Sequence, residues 1–156
     1  MQHISIIIPT YNEADGIGKL VQYLQEHGGS HVKDIIVSDG GSIDDTMSIA
    51  AAAGAFATLS PHKGRAAQMN HGASLATGTV FYFVHADTFP PLSYASDIIA
   101  AINAGYTFGR YRTKFDSNNK ILLFNAWFTR FDLFVCYGGD QTLFMDRQLF
   151  QQIGGF

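Results

Sequence analysis

Four short stretches of this chain carry side chains able to do chemistry, and each stands where an apolar run stops or the next helix should begin. Residues 9–13, Pro9-Thr10-Tyr11-Asn12-Glu13, follow the run 4–8 and supply a rigid proline, an aromatic plane and a carboxylate. Residues 38–45 follow the apolar core 35–37, and there Asp39 precedes two glycines that let another group approach closely. A carboxylate in that place can accept a hydrogen bond from a nucleobase N–H or a ribose hydroxyl. A plain loop with a helix cap explains Ser42, Asp44 and Asp45, but it leaves Asp39 costly to desolvate without a donor. Lys63-Gly64-Arg65 stands where a helix should begin, so backbone N–H groups and two cations could meet a diphosphate together, with solvated surface cations as the competing account. His85-Ala86-Asp87 follows the run 81–84. On an extended chain, residues 85 and 87 point the same way, so an imidazole and a carboxylate could face one cation. Mg²⁺ or Mn²⁺ takes oxygen ligands together with substrate phosphates, which Asp87 alone could anchor. A structural pair or a cap accounts for the same three residues.

The elements between these stretches alternate. A strand at 4–8 leads to helical spacing at Ile17, Leu20, Val21 and Leu24, with Asn12 as the expected cap and Gly28-Gly29 as the stop. A buried strand at 34–38 follows, then a helix expected to open at Ser42 with Asp45 in a capping-box position and to run to Gly54. A short strand at 56–59, an Ala-rich helix at 65–77 closed by Gly78, and a strand at 80–84 repeat the pattern. Pro90-Pro91 then starts a helix through Ile98, Ile99 and Ile102. Strands alternating with helices predict an α/β fold: a doubly wound, mainly parallel sheet with helices on both faces, binding its ligand at the strands' carboxyl edge. Residues 106–156 are less regular and predict a strand or hairpin, an apolar helix at 121–136, a short strand and a terminal helix.

Composition limits the functions available. The chain has 156 residues, 47% hydrophobic and 15% charged, which suits one globular domain spanning 1–156. A net charge of −3 with no Lys/Arg cluster gives no footprint for nucleic acid. Cys136 is the single cysteine, so no intramolecular disulfide and no Cys-based metal cluster can form, and it reads as a small buried hydrophobe. The N-terminal residues lack the basic region and cleavage site of a signal peptide, so a cytoplasmic location is expected. Stretch 121–136 is short for a bilayer span and contains Asn125, Arg130 and Asp132. It reads as a buried helix, with a homodimer face or a peripheral membrane-surface helix as the alternatives. Neither a Gly-x-Gly-x-x-Gly turn nor a P-loop is present.

Taken in order, IIIPTYNE, DIIVSDGGSIDDT, HKGRAAQMNHGASLATG, VFYFVHADT and QQIGGF resemble the family 2 glycosyltransferases of GT-A fold, over nearly the whole chain. His-Ala-Asp together with Gly139-Asp140-Gln141 also resembles a bacterial subgroup associated with arsenosugar biosynthesis. The family resemblance implies that Pro9, Thr10, Tyr11 and Glu13 line a nucleoside pocket and that Asp39 reads the base. It implies that Arg65 approaches the diphosphate, and that His85-Ala86-Asp87 takes the place of the family's Asp-x-Asp motif, with Ala86 beside the nucleotide and Asp87 holding the metal. His85 departs from that pattern by replacing the first Asp. The family carries a Glu-Asp pair, its catalytic base, shortly after Gly-Gly-Phe, whereas this sequence ends at Phe156. The chain is therefore expected to be truncated relative to the family, with Asp140 as the nearby carboxylate that could substitute.

The implied reaction is transfer of a sugar from a UDP- or GDP-type nucleotide sugar to an unidentified acceptor hydroxyl, with inversion and with Mn²⁺ or Mg²⁺ as cofactor. Two rivals differ in chemistry. A non-catalytic module would bind nucleotide without transfer. A nucleotidyltransferase would release pyrophosphate and needs a Gly-rich basic signature after its first strand, where this chain has Pro-Thr-Tyr-Asn-Glu.

Overall fold

The structure is a computed structural model, which describes residues 2–111 and 142–156. The expected helix at 121–136, Cys136 and Asp140 lie outside the described residues. Strand β1 (Ile4–Thr10) leads to α1 (Ala14–Gly28), and a 3₁₀ turn (Gly29–His31) leads to β2 (Val32–Asp39). Next come α2 (Thr46–Ala52), β3 (Phe56–Leu59), α3 (Arg65–Leu75), β4 (Val80–Phe83) and α4 (Tyr94–Asn103). The described remainder is β5 (Phe108–Arg110), β6 (Leu143–Asp146) and α5 (Arg147–Ile153).

The strands form one sheet in the order β3-β2-β1-β4-β6-β5. The first four strands in that order pair in parallel, while β6 runs antiparallel to both β4 and β5. The mainly parallel sheet expected from the sequence is present, with an antiparallel margin. The chain winds outward from β1 through β2 to β3, then crosses to β4 on the other side of β1. The carboxyl ends of β1 and β4 therefore flank a topological switch point, the position at which open α/β sheets take ligands.

Side-chain alternation on β1 explains the two layers. Ile4, Ile6 and Ile8 join Ile17, Leu20, Val21, Leu24, Tyr94 and Ile98 on one face, while Ile7 meets Ala73, Ala76 and Phe150 on the other. Helices α1, α2 and α4 thus cover one face, and α3 and α5 the other. Each fully buried Ile or Leu contributes about 1.5–3 kcal/mol relative to exposure. Helix α3 lies close to β1 because Gly72 has no side chain: a Cβ there would stand 2.5 Å from Ile7 Cγ2.

Several expected boundaries are corrected by tertiary contacts. Asn12 does not cap α1; it sits in the left-handed region at φ 56°, and Glu13 precedes the helix without a side-chain cap bond. The capping box at Ser42 is absent, and α2 starts at Thr46 after Asp45, which makes no cap bond either. That helix ends at Ala52 instead of running to Gly54, and α3 ends at Leu75 instead of 77. Pro90-Pro91 precedes α4 without entering it, since the helix begins at Tyr94. No helix among the described residues is long and apolar enough to cross a membrane.

Candidate functional site

Parallel pairing of β1 with β2 sets Thr10 beside Asp39, so the loops that follow these strands start together. Asp39 is fully buried, and its carboxylate is surrounded by the chain's own donors. Oδ1 accepts from the backbone N–H of Gly41 (2.8 Å) and Ser42 (2.7 Å), and Oδ2 accepts from the hydroxyls of Thr10 (2.9 Å) and Ser42 (2.5 Å). The donors that sequence reasoning could not find for Asp39 are thus local. Its carboxylate organises the 39–42 turn and holds the hydroxyl of Thr10, a residue that lines the cleft described next.

The two loops are stapled to each other. The Asn12 N–H donates to Ser42 Oγ (2.8 Å), and Asn12 Oδ1 accepts from the Ile43 N–H (2.9 Å). The N–H of Glu13 donates to Thr46 Oγ1 (2.8 Å), and that of Ala14 to Asp44 Oδ2 (3.2 Å). The amides at the start of α1 are therefore capped from the neighbouring loop. Asp44 also accepts from the Thr46 hydroxyl and N–H, and these bonds, the side-chain one foremost, hold its carboxyl below the usual range.

A cleft of about 510 Å³, its open mouth included, lies over this platform. Pro9, Thr10, Tyr11 and Glu13 line it from the first loop, Arg65 and Gln68 from α3, and His85, Ala86 and Asp87 from the loop after β4. Every site residue proposed from the sequence within the described residues lines the cleft, except Asp39. His85 and Asp87 share it for a reason other than strand alternation. Strand β4 stops at Phe83, and the backbone turns at 85–88, where the Thr88 N–H donates to the His85 carbonyl (3.0 Å). His85 is half-buried, whereas Asp87 is exposed.

Glu13 and Asp87 are the cleft's carboxylates. Burial, then the charges of Asp87 and Asp44, push the Glu13 carboxyl above its ordinary value. Among the described residues, no three His, Cys, Asp or Glu side chains are placed to hold a metal together. This donor set fits a hard divalent ion held by Asp87 with oxygens of a bound ligand, and a cation there would offset the repulsion felt by Glu13.

Gln68 is a cleft residue that the sequence did not reveal. It is 5% exposed, and its Nε2 donates to the carbonyls of Thr10 (2.5 Å) and Ser38 (3.1 Å). A signal was present: a polar residue one helical turn after Arg65 falls on the same face of α3. At the helix start, Gly64 takes φ 110° and offers no side-chain cap.

The family model described as Glycosyl transferase family 2 matches residues 5–150. Glucosyl-3-phosphoglycerate synthase of Mycolicibacterium smegmatis is 29% identical over 96 residues, covering 56% of this chain and 32% of that protein. The chain aligns with the crystal structure of glucosyl-3-phosphoglycerate synthase from Mycobacterium tuberculosis in complex with Mn²⁺, UDP-glucose and phosphoglyceric acid at a TM-score of 0.73 and 17% identity, covering 95% of this chain and 58% of that one. Mannosyl-3-phosphoglycerate synthase from Rubrobacter xylanophilus gives a TM-score of 0.71 at 20% identity, over 96% of this chain and 55% of that one. The shared fold is the GT-A-like arrangement. The chain spans only a part of each relative's length, from 32% of the first to 58% of the second.

Proposed function

This chain belongs to glycosyl transferase family 2, and from that premise we propose that its cleft binds a nucleotide-diphosphate sugar with a divalent cation and presents the sugar to an acceptor hydroxyl. The observation that carries the reading is convergence. The first loop, the start of α3 and the turn after β4 meet in one cleft at the switch point of the sheet. Thr10 and Tyr11 offer a polar group and an aromatic face to a nucleoside. Arg65, with the uncapped start of α3, offers positive charge to the diphosphate. The Mycobacterium tuberculosis relative is described with UDP-glucose and Mn²⁺, which favours a UDP-type donor over a GDP-type one here.

In the reaction, an acceptor oxygen attacks the anomeric carbon as the bond to the diphosphate oxygen breaks, which inverts the configuration. The bonding pair leaves on the diphosphate, where Arg65 stabilises the growing charge. Asp87, assisted by His85, would hold a Mn²⁺ or Mg²⁺ ion, whose chemistry when bound is charge neutralisation at the leaving group. The acceptor's proton passes to a carboxylate, a step typically worth about 10²–10⁴ in rate. Asp140 is this chain's own candidate for that base. In this reading Asp39 serves the nucleoside indirectly, by fixing Thr10 and the 40–42 backbone. The narrower likeness to arsenosugar-type enzymes, the cytoplasmic location and the dimer or membrane contact through 121–136 remain expectations of the sequence.

Calorimetric titration with UDP and GDP, with and without Mn²⁺, tests the proposal. The expected outcome is Mn²⁺-strengthened binding of UDP, with Asp87→Ala removing the Mn²⁺ increment and Arg65→Ala weakening nucleoside diphosphate more than nucleoside. Binding that ignores Mn²⁺ and both substitutions contradicts the reading. Binding without any sugar transfer, even with an extended C-terminus, would favour the non-catalytic module.

A further inference from the structure

We propose that Gln68 is a ligand-reading residue of this cleft: its side-chain oxygen is a fixed, neutral acceptor for one N–H or O–H donor of the bound nucleoside. The inference rests on the nucleotide-binding reading above and assigns an atom to it. Gln68 Nε2 donates to the carbonyl oxygens of Thr10 and Ser38, residues at the ends of β1 and β2. Turning the amide over would put Oε1 against those same two oxygens, so lone-pair repulsion holds the amide in one orientation. Gly40 tightens the fit, since a Cβ there would stand 2.7 Å from Gln68 Nε2. With its nitrogen committed to the strand ends, the amide has its oxygen left for the cleft that Gln68 lines.

The neighbouring carboxylate is engaged within the chain. All four donors around Asp39 come from the chain, and Asp39 has no exposed surface. Gln68 lines the cleft beside it and adds a neutral acceptor there. Arg65 lies one turn earlier on α3, so one helix face presents the cation for the diphosphate and the acceptor for the nucleoside at a set spacing. The donor is either the base imide N–H or a ribose hydroxyl, which are the same chemistry to an amide oxygen.

The test uses the whole chain with Mn²⁺, wild type against Gln68→Met. Each is titrated with UDP, with 2′-deoxy-UDP, with 3′-deoxy-UDP, with N3-methyl-UDP and with inorganic pyrophosphate. One neutral hydrogen bond predicts that one analogue binds wild type roughly three- to tenfold more weakly than UDP. That difference disappears in Gln68→Met, while pyrophosphate affinity is unchanged. The affected analogue distinguishes base from ribose. The proposal is overturned if Gln68→Met keeps the full analogue difference, or if it loses pyrophosphate affinity as much as UDP affinity, which marks a purely structural amide. If Gln68→Met does not fold, Gln68→Ala takes its place, and failure of both to fold likewise assigns the amide to structure alone. A wild type that binds no UDP fails differently: it removes the nucleotide reading itself.

Discussion

Glu13 shares the cleft with Asp87, and its raised carboxyl gives a pH signature for the metal-free protein. A carboxyl whose folded-state value is raised stabilises the fold fully below its unfolded value, and that contribution is lost as pH rises through the folded value. Wild type should therefore lose stability relative to Glu13→Gln as pH climbs from about 4 toward neutrality. Thermal unfolding across that range, without divalent ions, checks this; parallel Tm curves for the two proteins would refute it. Adding Mn²⁺ at neutral pH should narrow the gap. At this scale most of the cleft was legible in the sequence, because Pro9, Thr10, Tyr11, Glu13, His85 and Asp87 sit directly after apolar runs. Gln68 was not, since it lies inside an Ala-rich helix and acts through carbonyls 58 and 30 residues away in sequence. Asp39 was located but its surroundings were not, because no pattern reveals that Thr10 and Ser42 turn their hydroxyls toward it.

Elements in this fold are placed by neighbours as much as by their own sequences. Helix α1 opens where Ser42, Asp44 and Thr46 supply acceptors for the amides of 12–14, so its start depends on a loop 30 or more residues away. The capping box anticipated at Ser42 fails for the same reason: that hydroxyl is bound to Asp39. Asn12→Ala should cost about 1–2 kcal/mol, combining left-handed strain with loss of the Ile43 bond. Asn12→Gly keeps the conformation and should recover part of it. Urea unfolding of the two variants separates the contributions, and identical stabilities would mean that strain plays no part. Gly72→Ala tests how α3 meets β1. Helix propensity alone favours alanine by about 1 kcal/mol. The 2.5 Å approach to Ile7 Cγ2 predicts a net loss instead, since overpacking costs about 1–3 kcal/mol.

Across the molecule, the sheet is tied to one helical layer by phenols. Tyr82 stacks on Tyr94 at 5.6 Å; Tyr82 donates to Thr142 Oγ1, Tyr94 to the Leu24 carbonyl and Tyr111 to the Tyr94 carbonyl. Burial raises all three hydroxyls well above the ordinary tyrosine value. Their contribution to stability is complete below about pH 10 and is lost as pH rises further, because the unfolded chain ionises first. Tyrosinate absorbance should thus rise in two stages, the second coinciding with loss of helical circular dichroism; a single smooth titration without unfolding would count against this. Parallel pairing of the first four strands followed from the alternation of strands with helices, but their order and the antiparallel insertion of β6 between β4 and β5 did not, because pairing partners distant in sequence leave no local pattern. The stapling of residues 12–14 to 42–46 has a practical corollary for protein engineering. A segment from either side, grafted alone from another member of the family, would arrive without its counterpart, so both must be exchanged as one cassette.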